Sequence, residues 1–240
     1  MKLLKIVACT AAFSSSAVFA VPVTFFDIIP TGQSSFNSTV TGTGASVESQ
    51  NLSGLSPASS WDFDDFTMFN ADGGNSSVYN ASLDGNTGEM IGVNPQGRGS
   101  NPSNYKNSGV TFTFDSAVNA IGFEVGDWAT CCHPSSLYMQ FDGGAVQLVG
   151  TANSYNDNPS HGAGLPKDGI FVGAIDDTNT FTSVTFWGDG AGEFLTVGGT
   201  ILWSAVDIGS VTVPEPATLG LLSVGLAGLA MSRRRKAPKA

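Results

Sequence analysis

The sequence predicts an all-β protein, an antiparallel β-sandwich of jelly-roll type, and three observations predict it. Apolar and polar residues alternate along short segments, as at Val110, Phe112 and Phe114, which is the period of a strand with one buried face. Gly, Asn, Asp and Ser separate these segments, and no part of the chain body has a sustained helical period with caps. The 16 Phe and 4 Trp supply apolar surface for one core.

The predicted strands follow one another at short intervals. They lie at residues 23–29, 61–69, 78–83, 109–114, 121–125, 137–141, 145–149, 169–175, 181–187, 194–197 and 201–208. Residues 31–57, between the first two strands, are polar and rich in Ser, Thr and Gly. We expect this stretch to form a loose arm or poorly packed edge strands.

The first twenty residues have the features of a secretory signal peptide. Lys2 and Lys5 give a basic start, residues 6–13 form a short apolar core, and Ala20 is a small residue suited to cleavage. We expect signal peptidase to cut after Ala20. The alternative is an uncleaved anchor, for which the apolar run is well short of the ~20 residues that span a bilayer.

The C-terminal segment has three successive parts: the triplet Pro214, Glu215 and Pro216, the apolar residues 217–231, and the basic cluster Arg233, Arg234, Arg235 and Lys236. The prolines favour an extended, exposed triplet because they disfavour helix. The basic cluster favours the cytoplasmic side of a membrane. We therefore expect the apolar part of this segment to form a transmembrane helix that tethers the protein transiently to the membrane.

These three parts, in this order, resemble the PEP-CTERM sorting signal of Gram-negative bacteria. The resemblance implies that an exosortase, a membrane-embedded cysteine protease, removes or replaces the tail. It also implies delivery to the cell surface or extracellular matrix of bacteria that make exopolysaccharide. An ordinary C-terminal membrane anchor is the alternative interpretation. The predicted organisation is a signal peptide at 1–20, a polar arm at 21–57, the β-sandwich at 58–212 and the sorting signal at 213–240.

The charge of the body is strongly acidic. The whole chain carries a formal charge of −10, but residues 21–213 contain 19 acidic and three basic residues, a net charge of −16. Such a body repels polyanions unless cations intervene, which argues against nucleic-acid binding.

A weaker resemblance lies in the body itself. Residues 117–126, 168–173 and 182–186 are similar to successive strands of many exported PEP-CTERM proteins, whose bodies resemble carbohydrate-binding modules. This similarity implies a carbohydrate-binding-module-like sandwich and exopolysaccharide as a partner.

Two adjacent cysteines, Cys131 and Cys132, remain after export. An oxidising compartment favours a disulfide, although Cα atoms ~3.8 Å apart make a bond between neighbours strained. Intermolecular bridges are an alternative, and a soft-metal site with His133 and His161 is another. The usual spaced Cys pairs of zinc sites do not occur in the sequence.

The sequence contains candidate binding residues for two kinds of ligand, calcium and carbohydrate. Asp62, Asp64 and Asp65 cluster on one segment, and Asp84 opens an oxygen-rich loop that reaches Glu89, so hard oxygen ligands are available. An exposed acidic edge and an ordinary turn are the alternative. Four tryptophans are candidates for stacking on sugar rings, although most tryptophans of a sandwich lie in its core: Trp61, Trp128, Trp187 and Trp203. Trp128, in a predicted loop beside Asp127 and the cysteines, is the best candidate for an exposed, sugar-stacking residue.

Catalytic motifs are lacking from the sequence. There is no Gly-x-Ser-x-Gly elbow, and Glu124, Asp127, Asp189 and Glu193 have no motif context that would mark a glycosidase pair. We therefore expect a non-enzymatic surface or matrix protein associated with exopolysaccharide and biofilm. The alternatives are a secreted hydrolase of polysaccharide or ester, and a purely structural matrix component.

Overall fold

The computed structural model describes residues 22–80, 84–93, 109–188 and 194–211. The elements of these residues are, in chain order, β1 (Val23–Ile28), α1 (Ile29–Gly42), β2 (Glu48–Asn51), β3 (Ser60–Asp62), β4 (Phe66–Asn70), β5 (Val78–Tyr79), β6 (Met90–Val93), β7 (Val110–Val118), β8 (Ala120–Gly126), β9 (Ser135–Phe141), β10 (Val146–Ala152), a 3₁₀ turn (Tyr155–Asp157), α2 (Pro159–Gly162), β11 (Ile170–Ile175), β12 (Phe181–Gly188) and β13 (Leu195–Ser204).

The strands form two antiparallel sheets. The first has the order β1-β11-β8-β13-β6-β5, with β2 also paired to β13, and the second has the order β10-β9-β12-β7-β4-β3. Strands β6 to β13 alternate between the two sheets, except that β9 and β10 form a hairpin within the second. This is the strand order of a jelly roll, in which two Greek keys supply eight strands. The predicted antiparallel β-sandwich is therefore confirmed.

Aromatic side chains join the two sheets. Phe112 of the second sheet stacks on Phe123 of the first with ring centroids 5.1 Å apart, and Phe123 meets Phe186 edge to face at 5.0 Å. All three side chains are fully buried. Alternate residues of each strand thus face the core, as the sequence pattern predicts, and their interdigitated rings fill the space between the sheets.

The polar arm predicted at 21–57 contains a helix that the sequence pattern did not predict. Helix α1 begins with a proline in its first turn and has low helix propensity, since its residues are largely Ser, Thr, Gly and Asn. Phe36 and Val40 are completely buried against the outer face of the first sheet, and Gly32 packs directly on Phe171. Tertiary packing of this narrow apolar stripe stabilises the helix.

Several strand boundaries differ from those predicted. Residues 61–69 form a hairpin, β3 and β4, instead of one strand. The segments 194–197 and 201–208 merge into the single strand β13. Gly198 and Gly199 interrupt its register at φ values of 151° and 67°, which glycine tolerates. The bend lets one half of β13 pair with β6 and the other half with β2.

The two ends of the sandwich are defined by β7, which spans its length. Where β7 starts, Val110 pairs with Asn70 of β4, and we call this the first end. Where β7 finishes, Val118 pairs with Phe181 of β12, and we call this the second end.

The predicted processing segments lie outside the described residues. These include Ala20, the Pro-Glu-Pro triplet, the apolar residues 217–231 and the basic cluster. Among the helices of the described ranges, none is long and apolar enough to cross a membrane.

Candidate functional site

Trp128, predicted to be an exposed sugar-stacking residue, is completely buried. Its indole Nε1 donates a hydrogen bond to Ser135 Oγ at 2.9 Å, and its backbone carbonyl accepts one from Asn158 Nδ2 at 2.9 Å. Its ring meets Phe26 edge to face, with centroids 5.4 Å apart. The prediction was wrong because the turn after β8 directs this side chain inward, where it anchors the β8–β9 loop.

The adjacent cysteines lie in that same loop and are joined by a disulfide. Cys131 is exposed and Cys132 is half-buried. Disulfide sulfurs offer no thiolate to a metal, so the alternative of a metal site is not supported. His161, which the alternative also required, pairs instead with Asp168, its Nε2 lying 2.6 Å from Asp168 Oδ1.

The four aspartates predicted to bind calcium do not form one cluster. Asp62, Asp64 and Asp65 are exposed on the β3–β4 hairpin, where Asp62 Oδ1 accepts a hydrogen bond from Thr67 Oγ1 at 2.9 Å. Within the described ranges, no group of three or more His, Cys, Asp or Glu side chains could hold a metal ion. Calcium binding by these three aspartates stays a prediction.

Asp84 lies at the first end, where its carboxyl group covers Gly126 at the end of β8. Burial raises the pKa of Asp84 to about 6, and the neighbouring charges of Asp127 and Asp168 add to the rise. Lys167 opposes the shift. Burial likewise raises the pKa of Asp127, although its hydrogen bond with Thr130 limits the rise.

Glu124, one of the carboxylates weighed for hydrolysis, is fully buried under α1 and the loop before β6. It accepts hydrogen bonds from Gln33 Nε2 at 2.9 Å, from the Thr87 backbone N–H at 2.7 Å and from the Thr87 hydroxyl. Burial raises its pKa, and the bonds from Thr87 oppose that rise. Its contacts join strand β8 to helix α1 and to the loop before β6. Asp189 and Glu193, also weighed for hydrolysis, lie outside the described residues.

A groove of about 370 Å³ opens at the first end, along the edge formed by β5 and β6. Tyr79 and Phe194 form its aromatic wall, with ring centroids 5.6 Å apart and ring planes at 73°. Both side chains are half-buried, so part of their surface remains accessible. A Cβ at Gly92 would collide with Tyr79 and press on Phe194, so glycine lets these rings lie against the strand.

The other side chains that line the groove, among the described residues, are polar: Asn70, Asp72, Asn75, Ser76 and Ser77. Asn70 is only 9% exposed, and its Nδ2 donates to Ser76 Oγ at 2.7 Å and to the Gly74 carbonyl at 3.2 Å. Its Oδ1 is buried and has no hydrogen-bond partner among the residues that the structure describes. A buried oxygen without a partner is costly, so a ligand that donates a hydrogen bond there would be stabilised.

A groove lined by aromatic rings and by hydrogen-bonding side chains suits a polyhydroxylated ring. The C–H face of a sugar packs on an aromatic surface, while its hydroxyls need precisely placed polar partners. Sequence reasoning missed this groove because Tyr79 and Phe194 are 115 positions apart and come together only through the pairing of β5, β6 and β13. The one local signal was the polar turn between β4 and β5.

The C-terminal segment identifies how the protein is sorted. A family model described as "PEP-CTERM protein-sorting motif" matches residues 212–236. The chain carries a PEP-CTERM sorting signal. This PEP-CTERM protein is therefore exported across the inner membrane to the cell surface or the extracellular space, and its signal marks it for exosortase processing.

Comparison of the PEP-CTERM protein with solved structures finds a mutant of a family 29 carbohydrate-binding module. The two are 13% identical, with a TM-score of 0.36, and the match covers 72% of this chain and 99% of that chain. The jelly-roll fold of this chain is defined by its strand order. No curated protein matches this chain.

Proposed function

We propose that this exported protein is a non-enzymatic carbohydrate-binding protein of the cell surface or extracellular matrix. It holds exopolysaccharide in the groove between Tyr79, Phe194 and Asn70, and so contributes to biofilm cohesion. Before exosortase acts, signal peptidase removes the N-terminal segment after Ala20, and the C-terminal span tethers the protein transiently to the membrane.

One observation carries the proposal: a single groove is lined by the half-buried rings of Tyr79 and Phe194 and by Asn70, whose buried oxygen has no hydrogen-bond partner among the described residues. The jelly-roll fold is used by lectin domains and supports this interpretation. The export signal also supports the proposal, because it directs the protein to the cell surface or the extracellular space.

Affinity electrophoresis tests the proposal. The exported protein should migrate more slowly in gels that contain the exopolysaccharide of the producing bacterium. Tyr79→Ala should weaken the interaction about tenfold, because loss of an aromatic contact costs about 1.4 kcal/mol. Tyr155→Ala is the matched control, since Tyr155 is 46% exposed and lies outside the groove.

Two results would contradict the proposal. Equal migration with and without polysaccharide would exclude binding in the groove. Release of new reducing ends from the polysaccharide by the purified protein would instead support the alternative of a hydrolase.

A further inference from the structure

We propose that the groove selects sugars that carry an ammonium group and rejects sugars that carry a carboxylate. This inference rests on the proposed function, because it names the class of sugar that the same groove takes. It follows from the hydrogen-bond acceptors in the groove, from the charge of its lining and from the charge of the body.

The first step concerns the free acceptor of Asn70. Its amide nitrogen already donates to Ser76 Oγ and to the Gly74 carbonyl, so the atom left without a partner is the oxygen. That oxygen accepts a hydrogen bond from a sugar hydroxyl or ammonium group. Sugars of all three classes, amino, neutral and acidic, carry hydroxyls that can donate to it, so this oxygen favours a sugar in the groove, and the charges described next distinguish the classes.

The second step concerns Asp72, which is exposed at the rim of the groove. Its Oδ1 accepts a hydrogen bond from the Gly74 backbone N–H at 2.7 Å, and this bond holds the carboxylate in place. Among the residues that the structure describes, the lining contains no Lys, Arg or His that could neutralise it. A cationic group in the groove therefore meets a fixed negative charge, and an anionic group meets repulsion.

The third step concerns the field around the groove. Residues 21–213 carry a net charge of −16. This charge lowers the local concentration of uronate-bearing chains and raises that of ammonium-bearing chains. The groove and its surroundings therefore favour the same class of sugar. The expected order of affinity is amino sugar, then neutral sugar, then uronate.

Three probes on the exported protein test this order by titration calorimetry at low salt. They are a glucosamine tetramer with free, protonated amines, its fully N-acetylated counterpart and a galacturonate tetramer. The first two differ at the amine, which is charged in one and blocked in the other. We expect the glucosamine tetramer to bind about fivefold more tightly, because one charge pair at about 4 Å in a water-like medium gives about 1 kcal/mol. We expect the galacturonate tetramer to bind about fivefold more weakly than the acetylated tetramer, because a like charge at the same distance repels by the same amount.

The variant Asp72→Asn isolates the charge, because asparagine keeps an oxygen for the Gly74 N–H. It should bring the ratio of the two glucosamine affinities close to one and leave the acetylated tetramer unaffected. Asp65→Asn, an exposed aspartate outside the groove, is the control and should leave the ratio at about five.

The outcomes separate this inference from the proposed function. If the acetylated or galacturonate tetramer binds as tightly as the glucosamine tetramer, the inference is wrong while binding in the groove stands. If none of the tetramers binds, but the native exopolysaccharide binds and Tyr79→Ala weakens that binding, the inference is again wrong while the proposed function stands. If neither the tetramers nor the native polysaccharide bind, the proposed function fails as well.

Discussion

Replacing Trp128 by alanine should severely lower the stability of the fold. Its main effect should be on the free energy of unfolding and not on the affinity for sugar. A tryptophan side chain buries about 150–250 Å², and at about 25 cal/mol per Å² its loss costs roughly 4–6 kcal/mol. Trp128 is fully buried, and its truncation also leaves the buried Ser135 hydroxyl without its partner. We therefore expect Trp128→Ala to lower the free energy of unfolding by about 4 kcal/mol or more.

A double-mutant cycle in urea separates packing from hydrogen bonding. Trp128→Phe keeps much of the ring but removes the N–H, so it should cost about 1–3 kcal/mol. Adding Ser135→Ala removes the unpaired hydroxyl and should recover part of that loss, with a coupling energy of about 1 kcal/mol. A loss below about 1 kcal/mol for Trp128→Ala would refute this reasoning and restore the exposed, sugar-stacking tryptophan.

Three further predictions concern pH, oxidation and metal. Because the pKa of Asp84 is raised to about 6, the folded state holds a proton that the unfolded state has lost, so stability should fall as the pH rises from about 4 to about 6. Over this pH range the melting temperature of the wild type should fall more steeply than that of Asp84→Asn. Parallel plots of melting temperature against pH for the two proteins would contradict this prediction. Reduction should add about 2 Da to the intact mass of the exported protein as Cys131 and Cys132 gain hydrogens, whereas two freely alkylated thiols before reduction would exclude the disulfide. Excess EDTA should leave retention on cells unchanged, since Asp72 is the single carboxylate among the described residues that line the groove; release by EDTA would support calcium bridging through the aspartates of the β3–β4 hairpin.

The sandwich could be predicted from the sequence because period-two alternation is a local property. Val110, Phe112 and Phe114 alternate within one strand, and their burial in the core needs no knowledge of partners. Helix α1 could not be predicted in this way. Its residues have low helix propensity, and the stripe that holds it, Phe36 and Val40, is stabilised only by the outer face of a sheet formed elsewhere in the chain.

The candidate site was less predictable than the fold for the same physical reason. The sorting signal is contiguous in sequence, so the pattern alone identified it. The groove depends on Tyr79 and Phe194, which meet across paired strands, and on Asn70, whose unpartnered oxygen is a property of burial. Trp128 failed as a site because its neighbours, Asp127 and the cysteines, suggested a loop but not the direction of the side chain.

Both ends of the described chain leave the sandwich on the same side. Val23 pairs with Ile175 at the second end, and the backbone N–H of Val211, just before the sorting signal, donates to the carboxylate of Asp177 nearby at 3.3 Å. The groove lies at the first end, and the nine residues of β7 separate the two ends by about 27 Å. In the proposed function, the tether therefore continues from the second end of the sandwich, about 27 Å from the groove that binds polysaccharide.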